Sequence, residues 1–599
     1  MAAGSAAVLE RLRSVMRSSK YVSEPLTAYV IPTDDAHQKG RGFGRSGRYH
    51  LQASQEINPD LWTLMKQGTS GVPTIEEWMS KELESGARIG FDPSLTSHKV
   101  YKKYSEATEC TGQVLVPVSV NLVDLVWDSR PARPVNPLMV LPLQYSGHSW
   151  QEKVSDVRKK MEARSATSLV VTAMDEIAWL LNLRGSDIDY NPLFFSYAII
   201  TTDTVRLYFD ADLLTDEIKE HLCVGSEGGV ATRDYSAIWD DVKSLTDSEG
   251  KIWINSESGQ GLVSLVPKGR RVGKLSPIQL LKAVKNETES RGMRAAHIRD
   301  GAALCEYLCW LEERMKEGDT VTEISGADKL ETFRRRAPTM TSQRFSELTT
   351  PPVFWPRPQP HPSTDRSLSV LELYLCDSGA QYRDGTTDVT RTVHFGTPTA
   401  QEKEAFTCVL KGHIDLCSLV FPNKTHEAIA RAPLWTAGLD YRHGTGHGVG
   451  SFLCVHEGPM GIHFRPYPEG IEAGMFMSDG PQSVGSRPSP EPLQASMFIS
   501  DEPGYYEDGK FGIRIENVVE IVPTTTKNNF GGTGFLTMEP VTMVPVQTKM
   551  IEPSLLNEAQ ITWLNSYHTS VRETVGTYLK ENGKDAAYRW LLRETTPLG

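Results

Sequence analysis

Asp377 and Asp388 stand eleven residues apart, with an Asp384-Gly385 pair between them. Leu371, Leu373, Leu375 and Asp377 share one parity along an expected strand, so this acid points where the core residues point. An inward carboxylate is costly unless something compensates it. Asp-Gly is a turn signal, and a hairpin built on it brings the two acids together. Farther on, Glu502 and Glu516 flank a turn centred near Gly509. In a hairpin with that centre they lie nearly opposite, about 5 Å apart at their Cβ atoms. Two such hairpins put four carboxylates in one cavity, and like charges that close do not all ionise without cations among them.

Between the hairpins runs Tyr441-Arg442-His443-Gly444-Thr445-Gly446-His447-Gly448-Val449-Gly450. Its glycines permit close backbone approach, so a histidine there is presented from a tight loop. His456 follows in Val455-His456-Glu457-Gly458-Pro459. One imidazole with four carboxylates is a mostly oxygen donor set, which favours Mn, with Zn or Co as substitutes. Bridging carboxylates hold two ions roughly 3.5–4 Å apart, the spacing that activates a shared water. Each element has a bland reading alone: a strand Asp is often an edge or turn residue, and His-Gly-Thr-Gly-His is often a surface turn. The order Asp, Asp, His, Glu, Glu in strand and hairpin contexts is what singles the set out.

The elements that must position these residues follow from the rest of the chain. Its 599 residues exceed one hydrophobic core and imply roughly two to four domains. A hydrophobic fraction of 39% and a charged fraction of 23% are those of a soluble globular protein. A net charge of −12 argues against nucleic acid or an acidic membrane as partner, because phosphate repels an acidic surface. Eight cysteines without a CxxC pair read as reduced, mostly buried thiols, which suits a reducing compartment. No apolar run is long enough to cross a bilayer. Residues 1–20 lack a signal-peptide core. Val8, Leu9, Leu12 and Val15 predict an amphipathic helix packed on its own domain, with a mitochondrial presequence as the alternative.

Residues 1–140 open with that helix and a short strand over 27–32, and close in a proline-spaced linker over 130–142. Residues 141–285 alternate helix and strand: a charged helix over 149–164, a strand over 168–172, helical spacing over 175–184 and a strand over 194–201. Residues 286–599 begin with an amphipathic stripe, Leu304, Leu308, Leu311 and Met315, then turn strand-rich and end in helices over 555–593. A proline-rich segment over 349–362 excludes a central strand. Met475 to Pro481 nearly repeats Met497 to Pro503, across a Ser-, Pro- and Gly-rich loop over 482–494.

Asp377-Ser378-Gly379-Ala380 with Asp384 to Arg391, the stretch from His443 to Pro459, Asp501-Glu502-Pro503-Gly504-Tyr505-Tyr506 and Arg514-Ile515-Glu516-Asn517 together resemble the Xaa-Pro aminopeptidases, and the likeness covers nearly the whole chain. The resemblance implies two creatinase-like α/β domains, 1–140 (shortened) and 141–285, followed by a pita-bread catalytic domain, 286–599. It implies a cytoplasmic homodimer with two Mn ions ligated by Asp377, Asp388, His447, Glu502 and Glu516. Asp388 and Glu516 would bridge the ions, and a bridging hydroxide would attack the carbonyl before proline. Glu502 would accept the proton. His443 and His456 would bind substrate and stabilise the developing charge, and Arg48, in Ser46-Gly47-Arg48-Tyr49, would line the substrate pocket.

Three features depart from the family pattern. Arg357 stands where the family carries a substrate-handling His, and His361 lies four residues beyond it. The first domain lacks a strand region before Gly47-Arg48. The near-repeat duplicates the approach to the first metal Glu, with Gly480 in the matching place of the earlier copy. They leave open a metal-binding pseudo-enzyme or peptide-binding dimer with weak or lost turnover, and a related prolidase-like dipeptidase is a further alternative.

Overall fold

The computed structural model describes residues 6–30, 54, 57–66, 71–337, 339–349, 365–422, 428–441, 443–462, 493–507, 509–528, 532 and 534–599. Arg48, Arg357, His361, Gly480 and the earlier copy of the near-repeat lie outside the described residues. The chain divides into two compact units near Gln279, with Pro142–Gly147 and Asp189–Pro192 belonging to the second.

In the first unit, α1 (Ala6–Met16) lays Leu12, Val15 and Met16 on a small core of Val22, Leu26, Val118 and Leu122, as its amphipathic spacing predicts. Strands β1 (Ala28–Val30), β2 (Arg88–Phe91) and β3 (Val114–Pro117) pair in parallel in that order. Helices α2 (Ile75–Glu82) and α3 (His98–Glu109) bury Met79 and Tyr104 against Ile89. Beyond them come β4 (Met139–Val140), α4 (Trp150–Glu162), β5 (Ala166–Val171), α5 (Met174–Leu180) and β6 (Leu183–Arg184). They are followed by β7 (Tyr197–Thr201), β8 (Val205–Phe209), β9 (Val230–Asp234), β10 (Lys251–Ile254) and β11 (Arg271–Val272). A mixed six-stranded sheet runs β11-β10-β5-β7-β8-β9, while β4 pairs with β6.

One expectation changes here. The stretch over 175–184 is helix and then strand, because Asn182 takes a left-handed turn (φ 51°) that ends the helix. Lys153 Nζ, 2.7 Å from Asn182 Oδ1, holds that turn inside the core. Within the proline-spaced stretch, Asn136 donates to Asp187 Oδ1 and to the Ser186 carbonyl, both at 2.8 Å.

The second unit is built on α6 (Glu287–Glu317), which starts at an Asn286–Glu289 capping box and buries Leu304, Leu308, Leu311 and Met315. Next come α7 (Glu323–Arg334) and the antiparallel strands β12 (Met340–Thr349), β13 (Leu373–Tyr382) and β14 (Gly385–His394). Leu373 and Leu375 are buried as expected. Leu371 is 83% exposed, because the chain turns there before the strand begins. After α8 (Ala400–Cys417) come β15 (Phe421–Pro422), β16 (Gly446–Gly448), β17 (Glu457–Ile462), β18 (Phe498–Asp501), β19 (Gly504–Glu507), β20 (Phe511–Arg514), β21 (Asn517–Thr524) and β22 (Phe535–Pro540). An antiparallel sheet runs β15-β22-β21-β18-β16-β17, and β19 pairs with β20. The tail forms α9 (Glu558–Glu581) and α10 (Asp585–Glu594), whose Leu564, Val571 and Leu591 close the core. All eight cysteines are free, six of them buried.

Candidate metal centre

The first pair of acids sits on a hairpin buried on both faces. Thr386, Thr387, Val389, Thr390, Thr392 and Val393 supply the β-branched side chains that favour such a strand. Tyr382 pairs with Gly385, Gly379 with Asp388 and Asp377 with Thr390, so the two acids share one face on a diagonal. The Asp-Gly signal marks the turn, but Gly385 serves another purpose. A Cβ there would stand 3.0 Å from the Met293 Cα on α6, so glycine is what lets hairpin and helix meet. Asp384, in the two-residue loop, is held by Arg299 Nη2 at 2.5 Å.

The second pair follows the expected centre. Gly509 is left-handed (φ 77°), Gly504 pairs with Arg514 and Asp501 pairs with Asn517. Glu502 therefore falls opposite Glu516. A bridge between Thr390 and Glu516 joins the two hairpins, and Thr390 Oγ1 donates to Glu516 Oε2 at 2.6 Å. His447 rides on β16, whose flanking Gly446 leaves room for the Ser500 carbonyl, only 2.0 Å from where a Cβ would be.

These elements bring ligand atoms of Asp388, His447 and Glu516 within 4.8 Å of one another. His447 Nε2 is 3.4 Å from Glu502 Oε1 and 3.6 Å from Asp388 Oδ2. Its other nitrogen, Nδ1, stands 2.9 Å from the Gly448 carbonyl, which only accepts, so Nδ1 carries a proton. In the neutral ring the Nε2 lone pair then faces two carboxylates. That arrangement is repulsive unless a proton or a cation lies between them. Metal-binding imidazoles show the same tie, with the second nitrogen donating to a carbonyl. Ser500 Oγ donates to Glu502 Oε1 at 3.1 Å. Asp377 lies outside the tight group, and its Oδ2 meets Arg514 Nη2. Four acids, one guanidinium and one imidazole leave an excess of negative charge, and hard oxygen donors with one nitrogen fit divalent cations such as Mn.

His443 and His456 flank the group. The His456 ring centre is 4.2 Å from that of His447. His443 Nδ1 is 2.7 Å from the Gly444 carbonyl, and its Nε2 is 3.2 Å from the Tyr506 hydroxyl. Burial pushes the neighbouring Tyr441 phenol up, so that group stays protonated, with the Arg431 guanidinium over its ring. Arg48 lies outside the described residues.

Arg514, Tyr506, Thr390 and Ser500 escaped the sequence reading as site residues. Arg514 touches Asp377, donates to Thr390 Oγ1 at 3.0 Å and donates to the Tyr506 hydroxyl at 3.2 Å. It thus joins a carboxylate of the first hairpin to the phenol beside His443. Its position two residues before Glu516, the same parity along extended backbone, was the available signal.

Three family models match the chain: the creatinase/prolidase N-terminal domain over residues 129–289, metallopeptidase family M24 over 291–523 and the C-terminal region of peptidase M24 over 534–598. An Xaa-Pro aminopeptidase of Drosophila melanogaster is 41% identical over 635 aligned residues, covering 99% of both chains. A probable Xaa-Pro aminopeptidase P of Penicillium rubens is 41% identical and covers 98% of both. The crystal structure of an X-prolyl aminopeptidase from Caenorhabditis elegans, described as a cytosolic enzyme with a di-nuclear active site, superposes with a TM-score of 0.88. It is 33% identical, over 99% of each chain.

Proposed function

The chain belongs to the Xaa-Pro aminopeptidases of metallopeptidase family M24, and we propose that it releases the N-terminal residue from peptides with proline second, using two divalent cations, Mn first. Its architecture is a creatinase-type N-terminal part followed by a pita-bread catalytic domain. Asp377, Asp388, His447, Glu502 and Glu516 would hold the ions. The observation that carries this reading is the imidazole of His447, tied at Nδ1 to Gly448 and turning Nε2 on Glu502 and Asp388.

When bound, the cations supply Lewis acidity and a water acidic enough to act as nucleophile near neutral pH. Glu502, its carboxylate steadied by the Ser500 hydroxyl, would accept the proton given up by the nucleophilic water. His443 and His456 would bind the peptide and stabilise the charge that builds at its carbonyl oxygen. Tyr506 orients His443 through the 3.2 Å contact to Nε2. Arg514 holds Asp377 and Tyr506 in fixed relation, so the metal-facing and peptide-facing sides move together. Arg48 keeps a substrate-binding role in this proposal. The domain limits 1–140, 141–285 and 286–599, a cytoplasmic location like that of the worm enzyme, and a homodimer belong to it too. Light scattering on the purified chain checks the last.

The test is cleavage of an Arg-Pro-Pro peptide beside the dipeptide Arg-Pro, before and after chelation. The proposal predicts cleavage before the first proline of the longer peptide, lost on chelation and restored by Mn. Cleavage that survives chelation, or that persists in Glu502→Gln, contradicts it. Hydrolysis of the dipeptide alone would make the protein a prolidase. Two ions bound without turnover would make it the pseudo-enzyme that Arg357 raises.

A further inference from the structure

Side chains alternate along a strand, so the residues beside Glu502 and Glu516 face away from the cation side. Asp501 and Asn517, paired between β18 and β21, turn toward α8. There His413 and Cys417, one helical turn apart, meet them. All four are buried, and Asp501, His413 and Asn517 have no exposed surface. His413 Nε2 is 3.1 Å from Asn517 Nδ2, and His413 Nδ1 is 3.0 Å from Asp501 Oδ2. Cys417 Sγ reaches the same oxygen at 3.0 Å.

Neighbouring groups decide where the protons sit. Arg391 Nη2 lies 2.7 Å from the other amide atom of Asn517. A guanidinium only donates, so that atom is oxygen, and the amide turns its N–H groups toward His413. Nε2 is therefore an acceptor, and the single ring proton sits on Nδ1, facing Asp501. Nδ1 meets Oδ2 obliquely, outside hydrogen-bond alignment, so this last link is electrostatic. Burial and the Asp501 carboxylate push the Cys417 thiol well up, which keeps it an S–H donor. A cation among these three groups would need the thiol stripped of its proton and Nδ1 freed of its own. With protons on both, the cluster needs none. Arg391 also donates to the Glu516 carbonyl at 2.7 Å, so the same guanidinium grips the backbone of one glutamate and starts the chain that ends beside the other.

We propose that Arg391, Asn517, His413 and Asp501 form a one-directional polar chain that sets the positions of Glu502 and Glu516 from behind, with His413, as the Nδ1–H tautomer, its central positioning residue. The inference rests on the reading of the two glutamates as cation ligands. Groups that orient metal ligands from behind typically change metal affinity or activity 10–100-fold when lost, on the order of what is expected here.

The experiment titrates manganese chloride into the metal-free full chain by calorimetry, for wild type, His413→Leu, His413→Asn and Glu502→Gln. Asn keeps an N–H donor where Nδ1 stands, whereas Leu keeps the bulk and loses both nitrogens. His413→Leu is expected to weaken Mn binding about 10–100-fold, and His413→Asn to recover most of it. A purely structural role would instead lower the melting temperature of both variants and leave the affinity of the folded protein alone. Unchanged Mn affinity in folded His413→Leu, beside lost binding in Glu502→Gln, would overturn the chain and spare the metal centre. Unchanged binding in Glu502→Gln would overturn the metal centre itself. If His413→Leu does not fold, ¹⁵N resonances of the wild-type imidazole still decide. A protonated Nδ1 with bare Nε2 supports the chain; a proton on Nε2, or a third Mn per chain lost in Cys417→Ser, overturns it.

Discussion

The strand ends that adjoin Glu502 and Glu516 have two faces, and both collect groups able to bind a metal. On one, ligand atoms of Asp388, His447 and Glu516 converge within 4.8 Å; on the other, those of His413, Cys417 and Asp501 converge equally closely. The faces differ in charge and in access. The first gathers four carboxylates against one guanidinium and leaves the side chains of His447 and Glu502 14% and 15% exposed. The second holds a single carboxylate, shut from solvent and met by an imidazole N–H and a thiol. Proximity of donors is common to both. Excess charge suited to cations belongs to one, and a cluster already supplied with protons makes a scaffold instead.

Breaking the charge balance of the first face carries the largest effect. Glu502→Gln is expected to lower kcat for an Arg-Pro-Pro peptide by about 10²-fold or more, since it removes the proposed proton acceptor, and to release metal as counted by emission spectroscopy. Full activity in that variant would dissolve the contrast between the faces. Arg514→Met comes next. It strips Asp377 and Tyr506 of their shared donor, so kcat should drop about 10–100-fold with a smaller change in KM, measured under saturating Mn. A change in KM alone would place Arg514 with the peptide rather than with the ligands.

The proton-supplied interior can be probed by acid. His568 on α9 accepts from the Val546 N–H at 3.1 Å, and burial, with Arg391 and Arg572 near, pushes its pKa down to about 3. The unfolded chain therefore binds this proton first. The stability of the neutral ring is intact above about pH 6.5 and is lost as pH falls toward 3, by at most about 1.4 kcal/mol per unit. Urea unfolding at stepped pH should show that slope, and His568→Gln, which keeps an acceptor, should flatten it. The smallest expected effect is on the closed face. Cys417→Val leaves Asp501 without one donor and should cost about 1 kcal/mol in urea unfolding, and Cys417→Ser less, because an O–H replaces the S–H.

The candidate ligands were legible because strand parity and hairpin centring are short-range rules. Asp377 follows the parity of Leu373 and Leu375, and the hairpin turns where Gly509 sits. The stripe on α6 was legible for the same reason. Local rules failed where a single residue redirects the chain, as Asn182 does in ending α5 and the turn at Leu371 does before β13. They also mistook the reason for Gly385, which is the approach of α6 rather than the turn. Arg514 and His413 act through partners more than eighty residues away in sequence, Asp377 and Asp501, and no spacing announces that.

The most direct test of the central claim is electron paramagnetic resonance of the chain loaded with two equivalents of manganese(II). If Asp388 and Glu516 are shared between neighbouring ions roughly 3.5–4 Å apart, the spectrum should be the broad multiline pattern of an exchange-coupled pair, reduced to an isolated-ion signal in Asp388→Asn. A wild-type spectrum of isolated ions, or Mn that stays free in solution, would contradict the dinuclear centre.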